Sequence, residues 1–280
     1  MREIASVVWS NGKSRVGLII VLVFLLVAFF GPWLAPYSVN DNTFASTAPP
    51  SAVHWLGTTQ TGQDVLTQLI VGTRASLLIT FSVGVLATLV SLCIGLLAGY
   101  APGVLDESLS FLTNVFLVLP GLPLLIVLAS YAPGKGTWLI IVIVSLTSWP
   151  FGARVLRSQV ATLRTRDFVI AARLVGDRTW RILAREIMPN MVSLVVAHFL
   201  MSALSGLLTA VGLEFLGLGN PDITTWGSML YWAQNDGALL EGQWAWILAP
   251  GLCIALLGMS LVLINFSVDE VSNPKLRRAL

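Results

Sequence analysis

Residues 75–105 read ASLLITFSVGVLATLVSLCIGLLAGYAPGVL, a run of 31 residues without a charged side chain. An α-helix rises 1.5 Å per residue and needs about 20 residues to cross the hydrocarbon core of a bilayer. The run does not alternate between apolar and polar residues, as a transmembrane β-strand would. It therefore predicts a membrane-spanning helix.

Five further uncharged stretches have lengths between 18 and 27 residues. They are 16–40, 108–134, 136–153, 187–213 and 242–268. The first is longer than the apolar core of a signal peptide, about 7–15 residues, and the shortest has Trp138 and Trp149 as interfacial anchors. The sequence therefore predicts an all-α integral membrane protein with six transmembrane helices.

The composition excludes a water-soluble enzyme. Of the 280 residues, 56% are apolar and 11% are charged, whereas soluble domains carry about 25% charged residues. The mean hydropathy is +0.83. A net charge of +2 gives no indication of nucleic-acid binding, and Cys93 and Cys253 lie in apolar runs and are predicted to be free thiols.

The basic residues predict the orientation. With the N-terminus in the cytoplasm, 14 of the 16 Lys and Arg residues fall on the cytoplasmic side, and only Arg74 and Lys135 lie outside. Because cytoplasmic loops carry an excess of positive charge, both termini are predicted to be cytoplasmic. The predicted organisation is an N-terminal segment 1–15, a six-span domain 16–268 and a tail 269–280.

Three connections are long enough to have a function. Two are predicted to lie outside, at about 37–74 and 214–241, and the third is a cytoplasmic loop at about 157–188. The second outer loop contains acidic residues but no Lys or Arg. It predicts a folded cap at a pore mouth, or else a surface loop whose tryptophans rest at the lipid interface.

The cytoplasmic loop reads as helix–Gly–helix. Phe168, Ala171, Ala172 and Val175 recur at helical spacing, and Gly176 can end that helix because glycine tolerates a left-handed conformation. We expect a second helix to begin with Asp177 or Thr179 as its N-cap, and Pro189 to mark the start of the fifth span. Spacing alone leaves two interpretations open: a basic helix on lipid headgroups or a docking site for a partner.

The chain has no phosphate-binding motif GxxxxGK[ST] and no catalytic constellation. His198 is the one ionisable side chain in the middle of a predicted span, and we interpret it as a packed structural residue. Carriers driven by ions or protons generally need ionisable residues within their spans as relays. Energy for transport is therefore expected to come from another chain.

The cytoplasmic loop resembles the coupling loop of ABC importer permeases, whose pattern is Glu-Ala-Ala, three residues, Gly and then Ile/Leu-Pro. Ala171, Ala172, Gly176 and Pro189 match it, and Ile170 replaces the Glu. Other segments resemble the dipeptide/oligopeptide/nickel permease family, C-type subunit, in the same order along the chain. They are LAPY at 34–37, HWLGT at 54–58, TGQDVL at 61–66 with Gln63 in place of the usual Arg, FLGLG at 215–219 and WGSML at 226–230.

The resemblance implies a type I ABC importer permease fold with cytoplasmic coupling helices, in the inner membrane of a bacterium. Such a subunit is not an enzyme and binds no cofactor. It pairs with a homologous B-type permease, within membrane lipid. Two ATPase subunits, or one fused pair, bind ATP and Mg, and an extracytoplasmic binding protein delivers the substrate.

The resemblance and the loops together give candidate site residues, none of them catalytic or metal-binding. The residues expected to couple to the ATPase are Phe168, Ala171, Ala172, Arg173, Gly176, Asp177 and Pro189. Those expected at the outer mouth or along the substrate path are Glu214, Phe215, Trp226 and Met229.

The substrate is expected to be a di- or oligopeptide. Other members of the family that the chain resembles import nickel, metallophores, glutathione or oligosaccharides. A different class, the self-sufficient channel, would show a ring of pore-lining charges or a selectivity loop, and the sequence has neither. A purely structural membrane anchor leaves the charged cytoplasmic loop unexplained.

Overall fold

The computed structural model describes residues 12–131 and 136–272, so most of the predicted N-terminal segment, Lys135 and most of the tail lie outside it. The described residues form a helical bundle. Its helices, in chain order, are α1 (Gly12–Leu34), α2 (Val65–Tyr100), α3 (Val104–Val118), α4 (Gly121–Tyr131), α5 (Thr137–Leu163), α6 (Asp167–Leu174), α7 (Thr179–Ile182), α8 (Val192–Phe215), α9 (Trp226–Asn235) and α10 (Trp244–Ser272).

Within the described residues, five stretches of helix are long and apolar enough to cross a membrane: Gly12–Leu34, Val65–Tyr100, Thr137–Leu163, Thr179–Phe215 and Trp244–Val268. The bent pair α3 and α4 makes a sixth span if it is counted as one. The prediction of an all-α membrane protein is thus confirmed.

The third span differs from the prediction of one straight helix over 108–134. It is broken into α3 and α4, whose axes meet at 90°. Pro120 explains the break, because proline has no N–H to donate and disfavours a helical conformation at the residue before it. Leu119 accordingly has ψ of 132°, in the extended region.

Two other helices each extend ten residues beyond the uncharged runs. Helix α2 begins at Val65, ten residues before Ala75, because the Asp64 carboxylate accepts a 2.8 Å hydrogen bond from the Thr67 N–H and caps the helix. Helix α5 continues past Ala153 to Leu163. The first connection therefore covers residues 35–64, and the loop after α5 covers residues 164–187, which we call the charged loop.

Helix α2 packs closely against α5 and α8 because small residues line the contacts. A Cβ atom on Gly99 would lie 2.6 Å from Cβ of Val160, and one on Gly206 would lie 2.6 Å from Cγ1 of Val83. Neither distance is compatible with a side chain. Glycines at these positions let the helices approach closely, as is common where van der Waals packing holds membrane helices together.

His198 lies at the junction of α2, α5 and α8. Its Nε2 atom is 3.0 Å from Oγ of Ser91 and 3.3 Å from Oγ of Ser202, and its ring occupies the space beside Gly152. Ser91 in turn donates a 2.7 Å hydrogen bond to the Trp149 carbonyl. These contacts fit the interpretation of His198 as a packed structural residue. Both cysteines are free, as predicted.

Candidate functional site

The charged loop begins with the short helix α6, which ends as the sequence predicts. Gly176 has φ of +87°, a left-handed conformation that residues with a Cβ rarely adopt. Its N–H donates to the Arg173 carbonyl, and the Asp177 N–H donates to the Ala172 carbonyl, each at 3.1 Å. Such bonds satisfy the last carbonyls of a helix, so Gly176 turns the chain sharply after α6.

The second helix of the charged loop corrects one prediction. Helix α7 begins at Thr179, but neither Thr179 nor Asp177 is its N-cap, a position held by Arg178 without a side-chain hydrogen bond. Asp177 instead accepts a 3.0 Å hydrogen bond from Arg181, one turn later. A π-helical turn (Leu183–Ile187) and a 3₁₀ turn (Met188–Met191) follow, and Pro189 lies just before α8 begins.

The inner face of the charged loop is fixed on the bundle. Val169, Ile182 and Ile187 are buried in one apolar cluster with residues of α5, and Ala172 packs against the same cluster. The guanidinium carbon of Arg173 lies 5.1 Å from the centroid of the Tyr100 ring, at the end of α2, in cation–π contact. A force on the loop would therefore pass directly to α2, α5 and α8.

The outer face of the charged loop exposes large apolar side chains among its arginines. Leu174 and Val175 each have 84% of their surface exposed, Trp180 has 58%, and Phe168 and Ala171 also face outward. Of the predicted apolar face, only Ala172 packs inward. Exposed apolar patches on a rigid element are typical of protein interaction sites. Sequence spacing did not single out Leu174 and Trp180, although Leu174 follows Ala171 by three residues.

At the opposite end of the bundle, residues 216–243 fold into a cap around α9. Thr225 and Ser228 form a capping box at the start of α9. Trp226 is fully buried: its ring lies 5.3 Å from that of Phe24, and its backbone N–H donates a 3.0 Å hydrogen bond to Oγ of Ser76. The cap is therefore packed onto α1 and α2, and Trp226 does not rest at a lipid interface.

The other candidate residues at this end are mostly buried as well. Glu214, at the end of α8, is 4% exposed and accepts a 2.7 Å hydrogen bond from Oγ1 of Thr225. Met229 is 2% exposed, whereas Phe215 is 40% exposed. Glu214 borders a small cavity of about 130 Å³. Contact of substrate with Trp226 would require the cap to open.

A larger cavity, of about 370 Å³, lies where α3 breaks from α4 and opens toward α5 and α8. We call it the bend cavity. Leu119 and Gly121 border it at the break, and its polar lining consists of hydroxyl groups from Thr147, Ser148, Ser205 and Thr209. No described residue that lines it is charged. No sequence pattern predicts this cavity, although Pro120 indicates a break in the third span.

Two family descriptions match the chain. Residues 91–278 match the "binding-protein-dependent transport system inner membrane component" family, and residues 10–50 match the "N-terminal TM domain of oligopeptide transport permease C". The first match covers α3 to α10, including the charged loop. The second covers α1 and the beginning of the first connection.

Individual proteins are similar along nearly the whole chain. A dipeptide transport system permease protein of Bacillus subtilis is 33% identical, covering 96% of this chain and 83% of that protein. An oligopeptide transport system permease protein of the same organism is 31% identical, covering 96% and 88%. Among solved structures, the MetNI methionine ABC transporter in an inward-facing conformation has a TM-score of 0.58 at 20% identity, covering 73% of this chain and 94% of that chain.

Proposed function

The chain belongs to the binding-protein-dependent transport system inner membrane component family, and from that premise we propose that it imports di- and oligopeptides. It is a permease subunit of an ABC importer and crosses the membrane several times. The two relatives from Bacillus subtilis are named dipeptide and oligopeptide permeases. The peptide substrate is inferred from them.

The proposed mechanism rests on the difference between the two faces of the charged loop. Its inner face is buried against the bundle, and its outer face presents exposed Leu174 and Val175. We propose that this outer face docks in a groove of the partner ATPase, which binds ATP and Mg. Because the loop is packed on three long helices, a rotation of the ATPase would move them together and switch access across the membrane.

In this proposal the charged loop and both termini are cytoplasmic, and the cap faces outward from a bacterial inner membrane. The homologous B-type permease completes the pathway, two ATPases or a fused pair dock on the coupling loops, and a binding protein delivers peptide at the cap. Of the candidate coupling residues, Phe168 and Ala171 face outward, whereas Ala172 and Arg173 contact the bundle.

We further propose that the bend cavity is part of the pathway. Non-helical backbone at membrane depth is tolerated only where it is buried in protein or lines a water-filled cavity. The break at Leu119 meets this condition if peptide and water pass there. Glu214 and Trp226 then act at the outer mouth by holding the cap in place, and movement of the cap would admit substrate.

The test is uptake by the complete importer, reconstituted with its second permease, ATPases and binding protein in lipid vesicles. Radiolabelled alanyl-alanine should accumulate when ATP is supplied to the ATPase side, and a non-hydrolysable ATP analogue should prevent accumulation. Nickel, glutathione and an oligosaccharide serve as competing substrates. Accumulation of one of these without any accumulation of peptide would overturn the proposed substrate, and uptake without ATP would indicate a channel.

A further inference from the structure

A polar cleft of about 440 Å³ lies at the cap end of the molecule, between the first connection and the cap. Its volume is in the range of small-molecule sites, about 300–1,000 Å³. Its polar lining includes the side chains of Asn40, Asn42, Thr61, Gln63, Gln68 and Asp222. The cleft is separate from the bend cavity and shares no lining residue with it.

Hydrogen bonds between side chains hold the glutamines of the cleft in place. Gln68, on the first turn of α2, is 9% exposed, and its Nε2 atom donates a 2.6 Å hydrogen bond to Oε1 of Gln63. Thr61 Oγ1 donates to the same Gln63 oxygen at 3.4 Å. These bonds orient both amides, so that Gln63 can still donate through its nitrogen and Gln68 can still accept through its oxygen.

The described lining of the cleft carries a negative charge but no positive one. Asp222 is exposed at its rim, and its backbone N–H is held by Oδ1 of Asn220 at 3.0 Å. No described residue that lines the cleft is Lys, Arg or His. The described lining of the cleft thus includes one carboxylate and several neutral amides but no basic side chain, and the carboxylate favours a cationic group there.

These features match one kind of ligand. A peptide with a free amino terminus carries one ammonium group and, beside it, amide N–H and C=O groups. We propose that the polar cleft is an entry subsite for such a peptide, in which Asp222 binds the ammonium group and the amides of Gln63 and Gln68 bind the first peptide group. This inference rests on the proposed function, since it assumes that peptide is delivered at the cap.

The experiment uses the reconstituted complete importer, with alanyl-alanine as the probe and the liganded binding protein titrated to saturation. The Asp222→Asn variant should lower the maximal uptake rate about threefold to tenfold, as expected for the loss of a charge-assisted hydrogen bond. Asp222→Glu, which keeps the carboxylate, should retain at least half of the rate. Gln63→Leu should also lower the rate, because it removes the amide that is proposed to bind the first peptide group.

Glu241→Gln is the matched control, because Glu241 is an exposed acid of the cap outside the cleft, and it should transport at the wild-type rate. Wild-type uptake by Asp222→Asn would overturn the subsite. An unchanged maximal rate with a higher half-saturating concentration of binding protein would also overturn it, since the cleft would then dock the binding protein. If the wild-type importer transports no peptide, the proposed function fails and the subsite fails with it.

Discussion

Thr225 Oγ1 lies 2.7 Å from Oε2 of Glu214 and joins the cap to the end of α8. The same hydroxyl accepts a 3.0 Å hydrogen bond from the Ser228 N–H, the bond that caps α9. The Thr225 hydroxyl thus donates its one proton to a buried carboxylate and accepts a hydrogen bond from the first turn of α9. The two elements between which the cap would have to hinge are tied together at this residue.

Replacing Thr225 tests whether this connection holds the cap. Thr225→Val should destabilise the protein by about 1–3 kcal/mol, because it removes a helix cap and leaves a buried carboxylate without its donor. Thermal unfolding in detergent, followed by tryptophan fluorescence, measures the loss. Thr225→Ser keeps the hydroxyl and should unfold near the wild-type temperature. Equal stability of the Val and Ser variants would show that the hydrogen bond does not matter.

The break in the third span makes a geometric prediction. Spin labels at Val104 and Tyr131, both highly exposed, should lie about 28 Å apart if α3 and α4 meet at 90°, and about 40 Å apart in one straight helix. The measurement uses a variant in which Cys93 and Cys253 are replaced by Ser. Pro120→Ala should shift the distance toward the longer value, because it restores the N–H of a helical residue. A wild-type distance near 40 Å would contradict the broken span.

The orientation is tested by labelling single cysteines with an impermeant maleimide in intact cells, again without Cys93 and Cys253. Asn42→Cys and Asp236→Cys should react from outside, because both positions lie at the cap end. Asp177→Cys, in the charged loop, should react only after permeabilisation. The expectation follows from the distribution of basic residues, and labelling of the Asp177 position in intact cells would reverse the orientation.

The sequence predicts the helices well because burial in lipid requires long uncharged runs. It does not reveal the 90° bend by counting charges, since Pro120 lies inside an uncharged run like any other. The end of α6 at Gly176 was predictable because a left-handed C-cap is a local property of the chain. The start of α7 was not, since Asp177 pairs with Arg181 instead of capping the helix.

The contacts that hold the cap could not be predicted from the sequence. The sequence left open whether Trp226 belongs to a folded cap or rests at the lipid interface, and the structure buries it against Phe24 with its N–H bonded to Ser76. These partners are some 200 and 150 residues away along the chain, so only the packing of α1 and α2 brings them together. The polar cleft likewise combines residues of the first connection with Asp222, and no local pattern links them.

Substitution of Gly176 tests the role of this turn in the coupling mechanism. Gly176→Val should cost about 1–2 kcal/mol, because φ is +87° and a β-branched residue is strained there. We expect less peptide transported per ATP hydrolysed, while the chain still inserts in the membrane. Gly176→Asn is the control, because asparagine adopts the left-handed conformation more readily, and no neighbouring atom would obstruct a Cβ. Equal coupling in the two variants would contradict a role for this turn.

The most direct test of the coupling mechanism is the amount of ATPase that co-purifies with the tagged chain carrying Leu174→Asp. Leu174 is 84% exposed, so the substitution should leave folding nearly unchanged, but it places a charge in the proposed interface. We predict at least about a tenfold loss of bound ATPase, as for an interface hot spot. Leu240→Asp, at a 94% exposed position in the cap, should retain the wild-type amount. Equal retention of ATPase by the two variants would contradict the assignment of the charged loop as the coupling site.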